Sequence, residues 1–267
     1  MTARVRTTAA LLGAALLLAA VSGCTGSSPG DSSARPATPS QTSAQATPTD
    51  RSPHGVLLSA QLALREARRG EFRAVLGEAH AKGAVFWAPK TVLQYRGDGD
   101  ARRLMVLDTS AYVGGDPQTA ARLGGPHWEK YSGGTHCPYS ALIDRISPVV
   151  ATTAAAAADS PVLLGEEKLL ETTVQHYRVT LTAAQYAAAQ TQLDQDRRQA
   201  LETALGPGEV VLDLWLNDHD QVVQLRRAAA EVDTIGYSEY GSSAISVQGP
   251  AEADIAPESG AGLPLFP

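Results

Sequence analysis

Cysteine is nearly absent from this chain of 267 residues: there are two, Cys24 and Cys137. Six histidines stand at 54, 80, 127, 136, 176 and 219, without a Cys-x-x-Cys or His-x-x-x-His spacing, so no metal site and no cofactor is expected. From residue 53 onward there is no Gly-x-Ser-x-Gly elbow and no phosphate loop. Positive charge is also in deficit, with 22 Lys and Arg against 28 Asp and Glu and a formal charge of −6. That balance argues against nucleic acid, which attracts clusters of Lys and Arg. Long apolar runs are missing too: the longest, from Thr8 to Val21, is about 14 residues, short of the roughly 20 needed to cross a bilayer core.

That run is nevertheless informative. It follows Arg4 and Arg6 and leads through small residues to Val21-Ser22-Gly23-Cys24, the layout of a secretory signal. The order aliphatic, small, Gly, Cys resembles the bacterial lipobox. The resemblance implies a signal peptide over 1–23 and acylation of Cys24, which then anchors the chain to the membrane on its extracytoplasmic face. The alternatives are an ordinary secretory signal with a nearby cysteine or an uncleaved transmembrane helix, for which the run is short. Without Arg4 and Arg6 the formal charge falls from −6 to −8, since 20 cations then face 28 anions.

Residues 25–52 contain no aromatic and no Leu, Ile or Val, so they bury too little apolar surface to offset their ordering entropy. With Cys24 they are expected to form a disordered Ser/Thr/Pro-rich tether over 24–52, whose 28 flexible residues span roughly 30 Å. Cys137, left alone in an oxidising compartment, is buried, reactive or paired with another molecule. Burial is favoured, as free cysteine is among the residue types most often found inside.

The folded domain is placed at 53–250. Leu57, Ala60, Leu64 and Ala67 recur at helical spacing, and Gly70 is read as the helix stop. Short β-prone runs over 72–76, 84–87, 91–95, 102–108 and 111–113, broken by Gly, Pro and Asp turns, read as an antiparallel meander, with 127–131 as a further strand. A short helix is expected over 139–146; the Thr/Ala-rich stretch 151–158 is either helix or loop. Strands follow at 162–170 and 174–181, then a long helix opened by the capping-box pair Thr182 and Gln185 and running to Leu205. Residues 210–216 and 222–227 form a hairpin, 230–237 and 244–247 read as two more strands, and 251–267 as a loose tail.

Four segments occur in order: Val162-Leu163-Leu164-Gly165-Glu166-Glu167, His176-Tyr177-Arg178-Val179, Leu212-Asp213-Leu214-Trp215-Leu216-Asn217-Asp218 and Tyr237-Ser238-Glu239-Tyr240-Gly241. Behind a lipobox, they resemble actinobacterial lipoproteins of the LppX/LprAFG type, whose fold is similar to the LolA and LolB carriers. The resemblance implies an α+β fold: a curved antiparallel half-barrel with helices covering its concave face. It also implies non-enzymatic binding or transport of a lipid, glycolipid or other apolar ligand. The chain departs from the pattern at 151–158, which looks like an insertion, and in early strands richer in charge than a generous lipid cavity favours.

Burying acyl chains needs only a contiguous apolar concavity, at ~25 cal/mol per Å² withdrawn from water. In such a half-barrel the alternating Leu212, Leu214 and Leu216 are expected to face Leu57, Leu64 and Leu193 of the helices across the ligand. The rival reading is an envelope protein-interaction module with the same fold and a filled core. His136-Cys137 does not point to catalysis, because adjacent side chains rarely aim at one atom and no third orienting group is evident. Asp218-His219-Asp220 reads as a polar turn and not a calcium loop. Trp87, Trp128 and Trp215 read as core or sheet-face residues.

Overall fold

A computed structural model describes residues 50–99, 102–134, 136–257 and 263–266. Cys24, the signal peptide and the tether up to residue 49 lie outside the described residues. The chain opens with α1 (Pro53–Ala67), where the Ser52 hydroxyl accepts from the Gly55 amide at 3.2 Å and Pro53 occupies the first turn. Its stop is Arg68, at φ 63°, whose N–H donates to the Leu64 carbonyl; Gly70 already belongs to the first strand.

Among the described residues, twelve strands form one sheet. They are β1 (Arg69–Leu76), β2 (Ala79–Phe86), β3 (Val92–Gly97), β4 (Arg103–Leu107), β5 (Ser110–Gly114), β6 (Trp128–Ser132), β7 (Val162–Leu169), β8 (Thr172–Thr182), β9 (Glu209–Leu216), β10 (Val222–Ala228), β11 (Val232–Ser238) and β12 (Ile255–Ala256). Their order is β12-β6-β5-β4-β3-β2-β1-β11-β10-β9-β8-β7, antiparallel throughout except for the β12–β6 pair. The fold is α+β, with an open, curled sheet.

Period-two alternation gives the sheet two faces. Register carries one apolar row across it: Tyr177, Leu214, Leu225, Ile235 and Ala74 stand opposite one another from β8 to β1. Phe72, Gly83, Tyr95 and Leu104 continue it on the next line. This inner face packs on α1, α3 (Ser140–Ile146), α4 (Pro148–Ala156) and α5 (Ala183–Ala188) in one core. The whole core belongs to a single unit, Pro48–Pro267. The outer face carries Glu71, Arg73, Lys82, Arg96, Arg178 and Asp213 in the same registers.

Several sequence expectations are corrected. The long helix over 182–205 is two, α5 and α6 (Gln195–Leu205), separated by a turn in which Asp194 caps the second. The turn is fixed by Gln190, wholly buried, whose side-chain amide donates to the Val150 carbonyl at 2.9 Å. Residues 244–247 form no strand: β1 lies between β2 and β11, and β11 between β1 and β10, so neither offers an edge. Residues 151–156 are helical, in α4, and a further helix, α2 (Pro117–Leu123), capped by Asp116, stands between β5 and β6. The stretch read as a loose tail is tied down twice, by β12 against β6 and by Phe266 against Tyr95 and Tyr139.

Candidate ligand cleft

At one end of the sheet α3 and α6 diverge over the β10–β11 turn. Tyr139 sets this geometry: its backbone is left-handed, φ 59° and ψ 28°, a conformation uncommon for a residue with a side chain, and α3 starts immediately after it. The helix turns Leu142 toward the core and Asp144 and Arg145 toward α6 and the hairpin. The opposite wall comes from α6, where Ala200, Leu201, Ala204 and Leu205 recur at helical spacing, and the Ala230 amide ties the hairpin to the Leu205 carbonyl at 3.1 Å. The result is a cleft of about 390 Å³, with Ala229, Ala230 and Phe266 completing its apolar lining.

The charged groups of the cleft pair with one another, while the buried Arg197 Nε has no hydrogen-bond partner among the described residues. Arg197 Nη2 donates to both Asp144 oxygens at 2.7 and 2.8 Å. Arg145 reaches Asp233 and Glu231, each at 2.6 Å, and Arg227 also donates to Asp233. Burial pushes the Asp144 carboxyl above its usual range in spite of Arg197. At Asp233 burial acts the same way, but the Arg145 hydrogen bond and the Arg227 charge outweigh it and leave the carboxyl lowered.

A second void of about 450 Å³ lies at the β1–β2 and β3–β4 turns, lined by Glu78, Ala79, His80, Tyr95, Gly97, Asp98, Arg102, Leu265 and Phe266. Tyr95 links it to the core. Gly83 stands between Phe72 and Tyr95 in the register, so the two rings lie 6.4 Å apart with no side chain between them. A Cβ there would meet the Gln94 carbonyl oxygen at 1.7 Å.

The six leucines expected to line a ligand are all buried. Leu57, Leu212 and Leu214 are 0% exposed and, with Leu216, belong to the packed core beneath the helices. Leu64 and Leu193 are buried outside that core, and Leu193 lies in the turn between α5 and α6. None of the six borders the cleft. Of the residues that do, Leu205 and Leu201 fall on a stripe legible in the sequence; Phe266 does not, because a lone aromatic in a Pro/Gly-rich stretch has no periodic neighbours.

The remaining candidates lie outside the cleft lining. Cys137 is half-buried against the core, and burial raises its thiol to about 11. Trp215 lies on the outer face, stacked on His176 at 4.2 Å, with its Nε1 donating to Glu167 at 2.9 Å. His176 places one ring nitrogen 2.6 Å from Glu167 and the other 2.9 Å from Asp213. Trp87 donates to the Leu64 carbonyl at 2.7 Å. His219 and Asp218 pair on an exposed turn. Among the described residues no three potential metal ligands come together, and no helix is long and apolar enough to cross a membrane.

No family model and no curated protein sequence matches the chain. Solved structures do. The lipoprotein LppX of Mycobacterium tuberculosis superposes with a TM-score of 0.51 at 11% identity, covering 74% of this chain and 100% of that one. LprF from Mycobacterium bovis gives 0.48 at 13% identity, over 74% and 97%. The fold is of the LppX type.

Proposed function

We propose that this chain is a membrane-anchored extracytoplasmic lipoprotein whose domain holds a lipid, glycolipid or other apolar ligand without chemically changing it. The observation that carries the reading is the cleft between α3, α6 and the β10–β11 turn: its volume falls within the ~300–1,000 Å³ of small-molecule sites, and the apolar part of its lining is Leu, Ala and Phe. Three arginines in the lining are balanced by Asp144, Glu231 and Asp233. Selection therefore rests on the apolar chain more than on a strongly anionic head. The LppX-type fold and the lipobox with its tether agree with this reading.

The second reading, an envelope protein-interaction module, is favoured by one feature: the inner face around Leu212 and Leu214 is fully covered, with Leu57 of α1 in the same packed core. Native mass spectrometry of the unit 48–267, purified without detergent from an actinobacterial host, separates the two. A lipid adduct that is lost on Ala204→Trp supports a carrier and names the ligand class on extraction. A clean apo mass that stays clean after incubation with host lipid extract supports the protein-binding module.

A further inference from the structure

The cleft and the second void share a wall, the Phe266 ring. That ring stands edge-on to Tyr95, 5.7 Å away at 83°, and to Tyr139, 5.5 Å away at 88°. It is seated in an aromatic corner but weakly fastened. Residues 263–266 belong to no helix or strand, Leu265 is 93% exposed, and among the described residues their one hydrogen bond runs from Tyr139 Oη to the Pro264 carbonyl at 2.9 Å.

Beneath the ring lies an unmet polar group. Tyr95 is 2% exposed, yet among the described residues its hydroxyl has no hydrogen-bond partner, an unfavourable state for a buried donor. Tyr139, on the other side, is held in a left-handed backbone, and strained residues of this kind gather at ligand clamps. An aromatic ring, an orphan hydroxyl and a strained tyrosine thus meet where two voids abut.

We propose that Phe266 is an exchangeable plug: the aliphatic chain of a single-chain or multi-chain acyl amphiphile takes the place of its ring. Withdrawal of the ring joins the two voids into one elongated groove, running from the cleft between α3 and α6 to the β1–β2 and β3–β4 turns. A linear chain uses such a space fully, whereas a compact ligand is satisfied by either void alone. The Tyr95 hydroxyl then has an ester or carboxyl oxygen to donate to. The inference rests on the lipid-binding reading and adds its gating and the shape of the ligand.

The test uses cis-parinaric acid, whose polyene chain fluoresces when withdrawn from water, titrated into the unit 48–267. Phe266→Ala removes the competition of the plug; if the plug is seated nine-tenths of the time, apparent affinity rises about tenfold. A second measurement is independent of any loss of packing in that variant. The sequence has three phenylalanines, Phe72, Phe86 and Phe266, so fluorophenylalanine labelling gives three ¹⁹F resonances, with Phe266 assigned by Phe266→Leu. On adding the probe, the Phe266 resonance is expected to move to its solvent-exposed position while that of Phe86 stays. Binding with an unmoved Phe266 resonance and equal or weaker affinity in Phe266→Ala overturns the plug and leaves lipid binding standing. Failure of both native and variant chains to bind overturns both.

Discussion

Arg227 and Asp233 stand opposite each other across the β10–β11 pair, on the inner face of the sheet, and meet in an ion pair with only 4% and 3% of each residue exposed. Arg145, from α3, donates to the same carboxylate, so one aspartate joins a helix to two strands at the floor of the cleft. Removing one member of a buried pair leaves the other uncompensated, typically at a cost of ~3–5 kcal/mol. Asp233→Asn is expected to lower unfolding stability by about that amount in urea titration at pH 7. Its carboxyl is lowered from 3.8 in the folded chain, so the stabilisation is fully present above that value and disappears as pH falls through the folded one. The native chain should therefore lose more stability between pH 5 and pH 2, taken as rough limits, than Asp233→Asn does. Equal acid sensitivity would mean that the pair contributes nothing to folding.

Leu214 and Ala204 separate packing from binding. Leu214 is 0% exposed in the middle of β9 and touches no open space, so Leu214→Ala should cost ~2–5 kcal/mol of stability through the cavity it leaves. Ala204 lies on the cleft wall. Ala204→Trp fills the space a ligand would take, and it is expected to abolish binding of cis-parinaric acid while stability changes by less than about 1 kcal/mol, as for a site outside the packed core. If Ala204→Trp binds the probe as the native chain does, the ligand sits elsewhere.

The contrast between those two residues also shows what the sequence discloses. Alternation over Val210, Leu212, Leu214 and Leu216 identifies a strand and its buried face, and both are found in β9. The same alternation does not say whether the face meets a ligand or helices. Here it meets helices, whose identity depends on contacts distant in sequence. The break between α5 and α6 has the same cause, because Gln190 bonds to Val150 forty positions away. The alanine run 151–156 lacks a stripe since most of its residues are buried, leaving no polar side to mark a face. Asp116-Pro117 is a helix start whose signal is short and stands between two stronger strand signals.

Cys24 and Cys137 are expected to behave as opposites. If Cys24 is acylated, Cys24→Ser should release the chain from the membrane pellet into the soluble fraction after cell fractionation, since two or more acyl chains are what make anchoring stable. A chain that stays in the pellet would point to an uncleaved apolar segment as the anchor.

Cys137 is held back by its surroundings. Burial raises its thiol to about 11, with the nearby Arg197 charge too weak to offset it. Thiolate is the reacting form, and a free cysteine titrates at roughly 8.5, so alkylation by iodoacetamide at pH 8 should be slower than that of free cysteine by on the order of a hundredfold. The rate should go on rising past pH 10, where a free thiol has levelled off, and should recover in urea once the core around α3 opens. The pH profile in Cys24→Ser, which leaves Cys137 as the only thiol, isolates the effect. A plateau near pH 9 in the folded protein would show an accessible, ordinary thiol and would overturn the shielding of Cys137 by burial.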